Sequence, residues 1–195
     1  MFTEAELQMM IDGKMIGHIY PYDTNDEKAV IDYTKQIKAE LERQAGIHVH
    51  VEQLHFGSGY ASYIEWFVYL DRDVQQSDNP YGIRTVEKEG LIVNISLLAP
   101  LILIGTGTRS DDIQIETGKI LSGGRSLLCE VSDLELPRQF DELKSRLERL
   151  FMKYHYTILQ KADVDRQLPF KTNIPTIFRE PHEYLVWDAI FYWED

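Results

Sequence analysis

The sequence predicts an α+β fold, a mainly antiparallel sheet packed by two long amphipathic helices. Short runs of alternating apolar residues follow one another with turn residues between them, the pattern of successive hairpins. Residues 25–46 and 136–161 repeat their apolar side chains at helical period. The whole strand run lies between these two helices, so they do not alternate with strands as βαβ units would. No glycine-, serine- or proline-rich linker and no internal repeat divides the 195 residues, so one domain, 1–195, is expected.

The elements follow in order. Thr3 and Glu6 have capping-box spacing, and Gly13 can close a short helix ending at Met10 or Asp12. Residues 14–20 read as a strand stopped by Pro21. Thr24 and Glu27 repeat the capping spacing ahead of Val30, Tyr33, Ile37, Leu41 and Ala45, and Gly46 closes this first long helix. Residues 47–56 and 60–70 alternate and form a hairpin across Gly57-Ser58-Gly59, with Ile64, Trp66, Val68 and Leu70 facing the core. Residues 71–82 are polar and rich in turn formers, an exposed loop. Strands are expected at 83–88, 91–98 and 101–104, with Pro100 marking a bulge or edge. A second loop covers 105–112, and short strands follow at 113–117, 119–121 and 126–131. Pro137 suits the first turn of the second long helix, whose stripe is Phe140, Leu143, Leu147, Leu150, Phe151, Tyr154 and Ile158. Residues 162–183 hold three prolines and read as irregular, and 184–193 as a closing strand with Leu185, Trp187, Ala189, Phe191 and Trp193 on one face.

Acid outnumbers base by 32 to 20. The two helical segments carry 8 acidic and 10 basic residues, which leaves 24 acids and 10 bases for the other 147 positions. Residues 1–27 hold 6 acids and 1 base, and residues 180–195 hold 5 acids and no base. If the first and last strands are neighbours, these ends form one negative patch interleaved with aromatics. A net charge of −12 argues against nucleic acid and against anionic membrane surfaces, and it permits a basic protein partner. The acidic N-terminus lacks the features of a secretory signal, and the longest apolar run, 91–104, is too short to span a bilayer. Cys129 is the single cysteine and reads as a small core residue. A cytoplasmic location is the expectation.

Catalytic motifs fail on inspection. Gly105-Thr106-Gly107 lacks the third glycine of a dinucleotide fingerprint, Gly118-Lys119 lacks the rest of a phosphate loop, and Ser58 is a turn serine. Asp71/Asp73 and Asp111/Asp112 are carboxylate pairs in polar loops, where water keeps both members ionised. His48 and His50 share a strand face with Glu52, with His55 close behind, a possible metal set. The pattern resembles the start of a cupin metal motif but departs from it, because a single residue separates His50 from Glu52 and Gly46 stands too close before His48. Nothing of that family is carried over.

The closing stretch Leu185-Val186-Trp187-Asp188-Ala189-Ile190-Phe191-Tyr192-Trp193-Glu194-Asp195 resembles the endings of small acidic bacterial proteins encoded beside polymorphic toxins. Those proteins are immunity proteins, which bind and block a cognate toxin domain. The resemblance implies a non-enzymatic protein-binding module with no cofactor and a basic toxin domain as partner. The loops nominate the contacts: Asp71, Asp73, Asp78, Asp111 and Asp112 for the partner's Lys and Arg, and Tyr81 as an aromatic anchor. The alternative is a metal-binding protein or metal-dependent enzyme using His48, His50, Glu52 and His55.

Overall fold

A computed structural model describes residues 2–52 and 59–194. It is α+β, built on a seven-stranded sheet that is antiparallel except for one short parallel pairing. The strands are β1 (Ile47–Glu52), β2 (Tyr63–Leu70), β3 (Val74–Asp78), β4 (Ile83–Ser96), β5 (Leu101–Gln114), β6 (Ile120–Arg125) and β7 (Thr157–Ile158). Five helices accompany them among the described residues: α1 (Glu4–Ile11), α2 (Glu27–Glu42), α3 (Asp141–Lys153), α4 (Lys161–Val164) and α5 (Val186–Ile190). The main order is β1-β2-β4-β5-β6, with β3 beside β4 and β7 beside β5.

Local chemistry sets the helix starts. Thr3 and Glu6 form the expected capping box on α1. For α2 the cap is Asp26, whose carboxylate accepts the Lys28 N–H at 2.9 Å, while the Thr24 hydroxyl donates to the Pro21 carbonyl in a preceding 3₁₀ turn. Two long helices were expected. Among the described residues the helices of eight or more residues are instead α1 with 8, α2 with 16 and α3 with 13. The expected 136–161 helix stops at Lys153 because His155 takes φ +63° and turns the chain, which lays Thr157 and Ile158 alongside β5. Tyr154 still follows the stripe and donates to Glu40 of α2 at 2.8 Å.

The core half of the sheet is covered on both faces. On one side Val30, Ile37 and Leu41 of α2 and Leu143, Leu147, Leu150 and Phe151 of α3 pack on Ile64, Trp66, Val68, Val93 and Ile104. On the other, Leu7 and Met10 of α1 with Trp187, Ala189 and Ile190 of α5 pack on Tyr63, Phe67, Ile92 and Leu103. Burial on both faces explains the mostly apolar run 91–104, which only Asn94, Ser96 and Pro100 interrupt.

β4 and β5 form one hairpin of 14 residues per strand, ~46 Å long at the usual rise. Its far half leaves the core as an arm, flanked by β3 on one side and β6 on the other. Residues 105–112, expected to be a loop, are therefore strand. The glycines at 105 and 107 serve packing rather than turning: a Cβ on Gly105 would stand 2.2 Å from Leu128 Cδ1, and one on Gly107 2.4 Å from Ile92 Cδ1. Likewise 74–78 within the expected 71–82 loop is strand β3, polar because both its faces are solvated. The true turn of the β5–β6 hairpin lies before Ile120, and 122–125, between two of the expected short strands, belongs to β6.

Three further expectations change. Residues 14–20 make no strand; the Ile16 N–H reaches past the β4 end and donates to Leu98 O at 2.7 Å. Residues 126–131 are irregular, with Leu128 seated in the space left by Gly105 and Cys129 half-buried. The closing 184–193 segment is the buried helix α5 with short flanks. Asp188 starts it by accepting the Leu185 N–H at 2.8 Å, and Val186, Ile190 and Tyr192 are as buried as the residues assigned to one strand face. The Gly57-Ser58-Gly59 turn and the end of the expected 47–56 strand lie largely outside the described residues.

Candidate partner-binding surface

The sheet gathers four of the six expected contact residues on the arm. Asp78 and Tyr81 belong to the β3–β4 hairpin, Asp111 and Asp112 to β5. Asp71 and Asp73 sit in a one-turn 3₁₀ helix at the arm's base. Most of these carboxylates are engaged within the chain, which corrects the expectation that water alone surrounds them. Asp78 accepts both arms of the Arg84 guanidinium, at 2.7 and 3.0 Å, which holds its pKa below the usual carboxylate value. Asp111, 13 % exposed, is bound by Lys88 at 2.6 Å. Asp112 accepts hydroxyls from Ser122 and Thr85, both at 2.7 Å, which lower its pKa. Asp71 meets His48 Nε2 at 2.6 Å, and Asp73 lies 3.9 Å from Arg72. Opposed charges in cross-strand rows of a two-sided polar sheet pair with each other, which is why the acids are not spare.

Tyr81 is different. It is 87 % exposed, and backbone pairing brings other apolar side chains to the same tip. The Ile115 N–H donates to Gly82 O at 2.9 Å beside it, and Ile120 lies opposite Ile113 across the ladder. Leu121 is the extra residue where the β5–β6 register shifts. Ile115, Ile120 and Leu121 are 44, 60 and 48 % exposed. The sequence showed Tyr81 but not its companions, because their meeting depends on the register of β5 with β6.

The metal alternative finds limited geometric support. His48 and His50 do share a face of β1, as alternation requires, and both are exposed. His48 is stacked on Tyr69 with ring centres 5.0 Å apart and is held by Asp71. His50 lines a small cavity with Glu65, Arg109 and Arg125, where Arg125 donates to Glu65 at 2.6 Å. The side chain of Glu52 and all of His55 lie outside the described residues, and among those described no three His, Cys, Asp or Glu side chains gather as a metal site.

The two acid-rich ends of the chain do meet, by helix packing rather than as neighbouring strands. Tyr192 donates to Met10 O of α1 at 3.2 Å, Tyr60 donates to Glu27 at 2.7 Å, and the Glu194 N–H donates to Tyr60 O at 2.8 Å. Burial first, then the carboxylates of Glu27, Glu194 and Asp12, push the Tyr192 hydroxyl up to about 12. No helix among the described residues is long and apolar enough to cross a membrane. Comparison with protein-family models, with curated proteins and with solved structures finds no match.

Proposed function

We propose that this chain is a non-enzymatic protein-binding module, and that it serves as an immunity protein which blocks a basic bacterial toxin domain in the cytoplasm. The observation that carries the reading is the arm tip, where Tyr81 and Ile115 in the two hairpin turns and Ile120 and Leu121 of β6 stand exposed at the end of a four-stranded blade. Exposed apolar and aromatic side chains grouped in this way are the composition of interface anchors. The arm supplies the anchor, and the acidic surplus elsewhere on the chain supplies attraction to a basic partner.

The test is co-expression with the toxin domain encoded beside this gene. The chain is expected to restore growth, and Tyr81→Asp combined with Ile120→Asp to abolish the rescue while leaving the fold's melting temperature unchanged. Absence of a toxic neighbour, or full rescue by the double variant, overturns the reading.

A further inference from the structure

Beside the joined termini runs an open groove of about 580 Å³. Its wall is the irregular segment 173–184, and Glu194 closes it. Three exposed carboxylates line it, Glu180, Glu183 and Glu194, with the half-exposed aliphatic face of Ile177 between them. Arg179 is the one Lys or Arg in that lining, and it is turned inward. Its guanidinium, 10 % exposed, donates to the fully buried Asp188 and to Cys129 O, both at 2.8 Å. Among the described residues, no Lys or Arg is therefore paired with the groove's three carboxylates. The exposed His182 ring lies 3.8 Å from Glu183 and is charged only when protonated.

We infer that this groove takes an extended, Lys/Arg-bearing segment of the protein partner. A groove of this volume admits a few residues of extended chain, and its charge selects cations. The aliphatic stems of Lys and Arg can lie on Ile177 while their heads reach the carboxylates. The inference rests on the reading of the chain as a binder of a basic protein, and it names the surface that meets the basic segment, apart from the arm that anchors the body of the partner.

The test uses the full-length, ¹⁵N-labelled chain and an acetylated tetra-arginine amide, with tetra-glutamate as the control. Amide shifts are expected at 173–184 and Glu194. Affinity is expected to fall about tenfold in the triple variant Glu180→Gln, Glu183→Gln, Glu194→Gln, given that exposed pairs each contribute modestly, and to fall again with added salt. Tyr81→Asp is expected to leave peptide affinity unchanged. Shifts spread evenly over the acidic surface, unchanged affinity in the triple variant, or no shifts at millimolar peptide would overturn the assignment. If the triple variant still protects cells from the toxin while the arm variant does not, the groove is wrong and the protein-binding reading stands.

Discussion

Replacing Arg179 with methionine isolates the most deeply buried ion pair in the described structure. Asp188 has no exposed surface and Arg179 is 10 % exposed, so the variant strands a carboxylate in the core between α5 and the loop at Cys129. Removing one partner of a buried pair costs about 3–5 kcal/mol. That is a large share of a domain stability of about 5–15 kcal/mol, and for a chain of this length corresponds to roughly 6–20 °C in melting temperature. The effect has a predictable pH dependence. Burial already raises the pKa of Asp188 above its ordinary value despite Arg179 and the Leu185 N–H. A carboxyl with a raised pKa binds its proton more tightly in the folded state, so stability falls as pH climbs through the window between the unfolded and folded values. Without Arg179 that window widens upward. The deficit of the variant should therefore be greatest at pH 7 and shrink towards pH 4, as Asp188 becomes neutral. Urea unfolding followed by tryptophan fluorescence at several pH values measures it directly. Adding Asp188→Asn to the variant should recover part of the loss at pH 7. A deficit below about 1 kcal/mol, or one independent of pH, would refute the claim that this pair is desolvated and sequestered from the groove.

Gly105→Ala should destabilise the fold by about 1–3 kcal/mol in the same assay, because its methyl group would collide with the buried Leu128 and stand 2.9 Å from the Asp133 carbonyl; an unchanged midpoint would show that the 126–134 segment yields freely. The Cys129 thiol has its pKa raised, by burial first and then by Asp133 and Glu130. Iodoacetamide should therefore label it much more slowly than a free thiol at pH 7.5 in the native protein and at the ordinary rate in urea; equal rates would contradict that environment.

Much of the architecture is written locally. Thr3 with Glu6, and the stripe of Val30, Ile37 and Leu41, specify α1 and α2 from interactions within a few residues, and the alternation of 60–70 specifies β2. The charge surplus at the two ends is likewise a property of composition, and the C-terminal one, 180–195, supplies the carboxylates of the groove. Where a segment is apolar all round, as in 184–193, or polar all round, as in 105–112, period carries no information. Packing then decides, making the first a buried helix and the second an arm strand.

Whether a carboxylate is free was decided by tertiary structure. Asp78, Asp111 and Asp112 look alike in sequence to Glu180, Glu183 and Glu194, yet strand register sets the first three against Arg84, Lys88 and a pair of hydroxyls. The second three are left facing water because the base among them, Arg179, is drawn inward by Asp188. Sequence counts charges, but the pairing of charges depends on which strands and loops become neighbours across long separations, and that is a property of the assembled core.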